Sequence, residues 1–223
     1  MGYDLSFGYV WDYRFAIADG LMVTLYFAAI SLVIGLVIGF VTSIARQSDN
    51  PIVYWISTAY VEIFRGTPVL IQLFWFFFCL PAILGVEIGN ATSTITALSL
   101  YMGALSSESF RAALKSIGVE QHDACVALGL PARVKIPFVI LPQATMRAVP
   151  TLMSNCVTLF KESALVSAVG MADLMYQGQT IADSTARPIE ILTVVAFIYF
   201  IIAFTITRLV SVYERRLLGK FIS

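Results

Sequence analysis

The chain has 223 residues, of which 59% are hydrophobic and only 13% are charged, and its formal net charge is zero. A soluble domain carries ~25% charged residues, so lipid must solvate most of this surface. The balanced charge gives no basic surface for nucleic acid, and we expect no nucleic-acid partner.

The first twenty residues carry several charges and lack a basic segment followed by an apolar run, so they do not resemble a signal peptide. They are rich in aromatic side chains, which favour the boundary between membrane and water. We therefore predict that 1–20 is an interfacial segment. Its aromatic residues are Tyr3, Phe7, Tyr9, Trp11, Tyr13 and Phe15.

Five hydrophobic regions follow, and each is long enough to supply a membrane span, for which ~20 apolar residues are typical. In the first region, Gly35 and Gly39 form a small-xxx-small pair of the kind that lets two helices approach closely. The predicted spans are 21–45, 52–84, 94–110, 143–170 and 189–211.

The second region is longer than one span requires, and Gly66-Thr67-Pro68 interrupts it. Glu62 and Arg65 lie inside this apolar run, where a charge near the bilayer centre costs ~3 kcal/mol or more unless it is paired or close to water. Being three residues apart on a helix, they can pair with each other and fix helix packing. The alternative is a direct role in a transport path.

The fourth region contains Pro150 and the polar run Lys161-Glu162-Ser163. Helix breaks and ionisable groups at membrane depth are tolerated only where protein or a water-filled cavity covers them. Their presence in two regions indicates a path for a solute. Five spans are few for enclosing such a path, so we expect two subunits around an axis.

The basic residues set the orientation, since Lys and Arg are enriched in cytoplasmic loops. Ten of the fourteen lie at Arg46, between Arg111 and Arg147, or in the C-terminal tail from Arg208. We therefore predict a periplasmic N-terminus and a cytoplasmic C-terminus, with 216–223 as a cytoplasmic tail.

The longest polar interruption, 123–142, is then cytoplasmic. It begins with a helix-like piece that carries Ala124, Ala127 and Leu128 on one face, and Gly129 is expected to stop it. Such a loop is a rigid projection rather than a slack linker.

The sequence contains no phosphate-binding loop and no nucleophile elbow, and its three cysteines do not have the spacing of a metal site. We therefore expect that the chain is not an enzyme and does not hydrolyse ATP alone.

The stretch 123–142 resembles the EAA loop of ABC importer permeases. It reads Asp123-Ala124-Cys125, three residues, Gly129, nine residues, Val139, one residue and Leu141-Pro142. That family has Glu-Ala-Ala, Gly and Ile-x-Leu-Pro at the same spacing, so Asp123 is one methylene shorter than the family residue. The segments 60–68 and 161–167 resemble signatures of the polar amino-acid branch, which includes histidine, glutamine, glutamate and arginine permeases. The similarity runs from about residue 20 to 210.

The resemblance implies an all-α integral membrane protein with five transmembrane helices and the type I ABC importer permease fold, in a bacterial inner membrane. Residues 21–215 would form one transmembrane domain that includes a coupling loop at 116–142. The partners it implies are a dimer of ATP-binding subunits, a second permease subunit that is identical or paralogous, a periplasmic solute-binding protein, a polar L-amino acid and membrane lipid. It implies no cofactor in this chain, with ATP and Mg²⁺ held by the partner ATPase.

The resemblance also assigns residues. The residues expected to couple to the ATPase are Asp123, Ala124, Ala127, Leu128 and Gly129. In some relatives the acidic residue at the position of Glu162 lies near the substrate. Together with the charges inside the apolar regions, this leads us to expect the following residues along the substrate path: Glu62, Arg65, Thr67, Lys161, Glu162 and Ser163. The alternative for Glu162 is a structural pair with Arg65 or with another subunit. The competing hypothesis is a subunit of an ATP-independent secondary transporter or channel, which the lack of an inverted repeat disfavours.

Overall fold

The computed structural model describes residues 6–221, with side-chain environments up to residue 212. This part of the chain is helical and contains no strand. Two π-helical stretches, Trp75–Cys79 and Ile136–Ile140, and a 3₁₀ stretch, Ser163–Val169, continue the α-helices. The α-helices are α1 (Gly8–Asp12), α2 (Arg14–Ala45), α3 (Pro51–Gly66), α4 (Val69–Phe74), α5 (Leu80–Leu84), α6 (Asn90–Lys115), α7 (Val119–Ala127), α8 (Ala132–Lys135), α9 (Leu141–Glu162), α10 (Leu174–Thr185) and α11 (Pro188–Phe221).

The first long helix starts earlier than predicted, at Arg14 rather than at residue 21. The Arg14 guanidinium lies 4.7 Å from the centre of the Trp11 ring and 4.5 Å from that of Phe15. Arginine held over aromatic faces gains cation–π attraction. The aromatic N-terminal segment is therefore continuous with the first long helix, apart from the break at Tyr13.

Helices α2 and α6 pack with almost no space between their backbones. A Cβ added to Gly39 would lie 2.5 Å from the Cβ of Ser106, and one added to Gly35 would lie 2.6 Å from that of Met102. From the side of α6, a Cβ added to Gly103 would lie 2.7 Å from Cγ2 of Ile38. The predicted close-packing role of Gly35 and Gly39 is confirmed, and α6 is the helix that they contact.

The second hydrophobic region is broken where predicted. Helix α3 ends at Gly66, and the next helical run, Val69–Leu84, leaves it at 110°. Thr67 and Pro68 at the break are both extended. The physical cause is Pro68, which has no N–H for the helix and disfavours helical geometry at the preceding residue.

The break expected in the fourth region is not at Pro150. Helix α9 runs through this proline to Glu162 and then tightens into a 3₁₀ turn that ends at Gly170, where φ is 75°. A proline costs one helical hydrogen bond without necessarily ending the helix. The irregular backbone here is at Ser163–Val169.

By length and apolar composition, two helices in the described chain qualify as membrane spans, and three if the bent pair is one span. Helices α6 and α9 do not qualify, although spans were predicted at 94–110 and 143–170. The reason is their polar content: α6 carries many Ser and Thr residues, and most of these are buried against neighbouring helices rather than exposed. An interior helix need not be as apolar as one that faces lipid.

Helix α10 is anchored by a buried carboxylate. Asp173 caps the helix by accepting hydrogen bonds from the N–H groups of Met175 and Tyr176, and Tyr199 donates its hydroxyl to the same carboxylate at 3.3 Å. Thr24 of α2 accepts the N–H of Leu174 at 3.0 Å. Burial raises the pKa of the Asp173 carboxyl to about 6 against the opposing effect of these donors. The network joins α10 to both α2 and α11.

We predict that Gly39→Ala destabilises the protein, because the new methyl group overlaps Ser106 and the carbonyl oxygen of Gly103. Overpacking of this kind costs ~1–3 kcal/mol. The measurement is the free energy of unfolding in mixed detergent micelles. Gly66→Ala is the matched control, because a Cβ there meets no atom within 4 Å. Equal stability of the two variants would contradict the close contact.

Candidate functional site

The polar interruption forms a short helix with a defined stop. Helix α7 ends beside Gly129, whose φ is 64°. The N–H of Leu130 bonds to the carbonyl of Cys125 at 3.0 Å, and the N–H of Gly129 bonds to that of Val126 at 2.9 Å. These two bonds make a Schellman motif, in which a left-handed residue turns the chain away from the helix axis. The predicted helix stop at Gly129 is confirmed.

The outer surface of this helix is exposed. Cys125 is buried and 3% exposed, so it faces the body of the protein, whereas Leu128 is 74% exposed. Val119 and Val126, one heptad apart on the same face, are also exposed. All the residues predicted for coupling are exposed, and these are Asp123, Ala124, Ala127, Leu128 and Gly129.

Contacts near its N-terminal end hold the projecting helix to the long helices. Ile117, just after α6, packs in a small buried cluster with Ile140 and Ala144. Gln143 of α9 donates its side-chain amide to Gln121 of α7 at 3.3 Å. Arg147 of α9 also bonds to the carbonyl of Ser116 at the end of α6. The exposed helix is thus attached to α6 and α9 at once. We refer to 116–130 as the projecting helix segment.

A charged cluster lies where α2, α3 and α6 meet. The Glu108 carboxylate accepts hydrogen bonds from Arg46 at 2.8 Å and from Arg111, and Arg65 lies 3.8 Å away. Glu62 lies 3.9 Å from Arg46. The Arg46 side chain is only 7% exposed. One carboxylate therefore ties together arginines from three helices, which limits the cost of burying Arg46.

The expected pair between Glu62 and Arg65 is wrong for this conformation, since the two residues have other partners. Glu62 lies near Arg46 at the end of α2, and Arg65 lies near Glu108 of α6. Arg46 and Glu108 are charged residues at the ends of predicted spans, so the sequence shows them. Which span ends meet in the folded protein is decided by tertiary packing. The charge pattern alone did not reveal the cluster.

The run at the end of α9 points in several directions. Lys161 is exposed and lines cavities against α11 together with Thr207. Glu162 is half-buried, within electrostatic reach of Tyr101 on α6. Ser163 is buried and donates to the carbonyl of Phe160 at 2.7 Å. Among the described side chains, neither Lys161 nor Glu162 has an ion-pair partner.

The two irregular stretches of backbone lie against each other. Val69 and Leu73 of α4 share a buried core with Val166 and Val169 of the 3₁₀ turn. The break beside Thr67 and the end of the α9 run are therefore in adjacent parts of the fold. This is the arrangement expected if both border one cavity.

Within the described part of the chain, no group of three or more His, Cys, Asp or Glu side chains could hold a metal ion. The arrangement consists of an exposed helix, a charged cluster and two irregular segments. It is suited to transmitting movement and to contacting a polar solute.

The model of the family described as "binding-protein-dependent transport system inner membrane component" matches residues 31–219. The arginine transport system permease protein ArtQ of Bacillus subtilis is 35% identical over 201 residues, which cover 90% of this chain and 92% of that protein. The glutamate/aspartate import permease protein GltK of Escherichia coli is 32% identical over 205 residues, which cover 89% and 92%.

A solved structure shares the whole fold. The crystal structure of an amino acid ABC transporter with histidines contains a chain that superimposes with a TM-score of 0.91 at 30% identity, covering 96% of this chain and 100% of that one. The similarity to known proteins thus extends over nearly the full length and is not limited to the motifs quoted above.

We predict that Glu108→Gln lowers the free energy of unfolding by about 2 kcal/mol, because the buried Arg46 loses its carboxylate partner. The loss is measured by unfolding in mixed micelles. The exposed Glu87, with no ion pair among the described side chains, supplies the control Glu87→Gln. Identical stability of both variants would mean that the cluster does not stabilise the junction.

Proposed function

The chain belongs to the family of binding-protein-dependent transport system inner membrane components, and from that membership we propose that it is the permease subunit of an ATP-driven importer for a polar L-amino acid. The single observation that carries the proposal is the exposed helix α7 with its Schellman stop, whose N-terminal side is held to α6 and α9. A surface of this kind is suited to docking on a second, force-generating protein.

The projecting helix segment is the proposed contact for a separate ATP-binding subunit. Because Ile117 at the start of the segment packs against Ile140 and Ala144, a push on α7 is passed to α6 and α9 rather than bending a loop. Rigid-body movement of packed helices is a common route between two conformations. Asp123, Ala124, Ala127, Leu128 and Gly129 supply the outer surface of this contact.

The proposed solute path runs by the break in the second region and the end of α9. Thr67, Lys161, Glu162 and Ser163 belong to these two segments, and Glu62 and Arg65 lie in the same bent region. The unpaired charges of Lys161 and Glu162 support contact with a substrate that carries both an amino and a carboxylate group. The relatives named for arginine and for glutamate/aspartate support an amino-acid substrate.

The membrane arrangement is proposed as five spans, with the N-terminus periplasmic, the C-terminus cytoplasmic and α1 in the interfacial region. Helices α6 and α9 count as spans because α6 packs against α2 through glycines and α9 packs against α6 and α11. The location is a bacterial inner membrane. A second permease subunit, identical or paralogous, and a periplasmic binding protein complete the importer together with two ATPase subunits.

The test is uptake into proteoliposomes that hold this chain, its companion subunits and the binding protein. Radiolabelled amino acids should accumulate only with ATP inside and binding protein outside. Accumulation driven by an ion gradient, without the ATPase, would refute the proposal and support an ATP-independent transporter.

We predict that Gly129→Val uncouples the importer, so that ATP hydrolysis continues while uptake falls. A β-branched residue at a φ of 64° is strained by ~1–2 kcal/mol, and the helix stop must change. The readout is the ratio of amino acid imported to ATP hydrolysed.

Gly85→Val is the matched control for this prediction. Gly85 has a φ of 65° and, like Gly129, no atom within 4 Å of an added Cβ, but it lies in the loop before α6. The control should carry the same strain and keep the coupling ratio. Normal coupling in Gly129→Val, or equal uncoupling in both variants, would contradict the role of the projecting helix segment.

We predict that Glu162→Ala raises the KM of uptake about tenfold, the effect of losing one charge-assisted hydrogen bond. The change should differ between cationic, neutral and anionic amino acids, because the lost group is a carboxylate. Uptake is measured for each class in proteoliposomes. Asp49→Ala, in the exposed turn after α2, is the control. Unchanged uptake of every amino acid, with coupling intact, would remove Glu162 from the path.

A further inference from the structure

The break between α3 and α4 poses a problem of unpaired backbone groups. The last carbonyl groups of any helix lack partners within that helix. At membrane depth no water is available to replace them, so the protein must supply donors. Pro68 has no N–H to offer, and the chain turns through 110° at this point.

The side chain of Gln72 supplies these donors. Its Nε2 group lies 2.8 Å from the carbonyl oxygen of Phe64, 3.0 Å from that of Thr67 and 2.8 Å from Thr67 Oγ1. Thr67 Oγ1 in turn donates to the carbonyl of Ile63 at 2.9 Å. One amide on α4 thus donates to the carbonyl of Phe64 at the end of α3 and to that of Thr67, whereas the carbonyl of Ile63 already accepts the N–H of Thr67.

The chemistry of these contacts fixes the orientation of the amide. The two carbonyl oxygens can only accept hydrogen bonds, so the NH₂ end of Gln72 must face them. A carboxylate of the same size, placed there, would face oxygen atoms without donating to them. Glutamine is therefore required for its donors and not only for its volume.

Gln72 is also held firmly. It is 6% exposed, and its neighbours Val69 and Leu73 lie in the core that contains Leu159 and Val166. The amide therefore connects the end of α3 to a helix whose position is already fixed against the 3₁₀ turn.

We propose that Gln72 is a positioning residue, whose carboxamide sets the angle between α3 and α4 and thereby the place of Thr67 beside the solute path. The part concerning the path rests on the proposed function, whereas the bend itself does not. Apart from the Thr67 hydroxyl, which donates to the carbonyl of Ile63, no other described side chain donates a hydrogen bond to the backbone carbonyls at this break.

The test compares Gln72→Glu, which is isosteric but lacks the donors, with Gln72→Met, which is apolar. In a chain whose three native cysteines are replaced, spin labels are attached at Trp55→Cys on α3 and Ile83→Cys on α5, both at exposed positions. Labelled chains are diluted into unlabelled ones in the assembled complex, so that each measured distance lies within one chain.

We expect the distance distribution to shift by ~5 Å or to broaden in both variants. The arm Val69–Leu84 is ~24 Å long at ~1.5 Å per residue, and a change of ~20° in its direction moves the far end by ~8 Å, of which roughly 5 Å lies along the line between the labels. Should Gln72→Glu fail to assemble, Gln72→Met, which carries no buried charge, gives the same comparison. A wild-type distance distribution in the assembled variants overturns the proposal.

Uptake gives the second readout. The maximum rate should fall about tenfold in both variants, while co-purification of the ATP-binding subunit stays unchanged. Gln47→Met is the matched control: it removes a glutamine amide that caps the carbonyl of Ser43 at 3.0 Å, away from the bend. A shifted distance between the labels with normal uptake would overturn the link between Gln72 and the solute path. Failure of the wild-type importer to transport would refute the proposed function, but the distance result would still test the bend.

Discussion

The contact between α2 and α6 is the interaction on which the other helices depend. Gly35, Gly39 and Gly103 remove the side chains that would separate the two backbones, so the helices meet at van der Waals distance. In lipid, where apolar burial gives little drive for association, such packing is a main source of stability. The remaining faces of α6 pack against α3, α4 and α9. Its low hydropathy is a consequence of this central position.

Helix α6 also connects features that would otherwise be separate. Glu108 lies on it and gathers arginines from α2 and α3, and seven residues after Glu108 the helix ends and leads into α7. Arg65, one of these partners, is next to Gly66 at the bend. The described contacts therefore form a continuous line from the exposed helix through α6 to the break. A displacement at one end has a packed route to the other.

The sequence was informative wherever a local rule decides the outcome. Gly129 stopped its helix because glycine adopts positive φ without strain, and Pro68 broke the second region because of its ring. It was less informative where tertiary packing decides. Pro150 was accommodated within α9, and Glu62 paired with Arg46 from another helix rather than with Arg65 on its own.

The same limit applies to the candidate site. The exposed positions on α7 followed from its helical pattern and from the family motif, whereas Gln72 was not singled out at all. Its role depends on carbonyl groups that face it only because the chain turns back through 110°. A polar residue within an apolar run, four positions after a helix-breaking proline, was the available signal.

The exposed apolar surface of the projecting helix segment has a consequence for biogenesis. Val119, Val126 and Leu128 are each about 70% exposed or more, and the proposed topology places them in the cytosol. Exposed apolar patches promote association with whatever complementary surface is near. If the proposed docking holds, a chain made in excess of an ATP-binding partner would leave this surface uncovered and open to proteases and chaperones. Under that proposal, the exposure needed for docking would also make balanced synthesis of the two proteins a requirement.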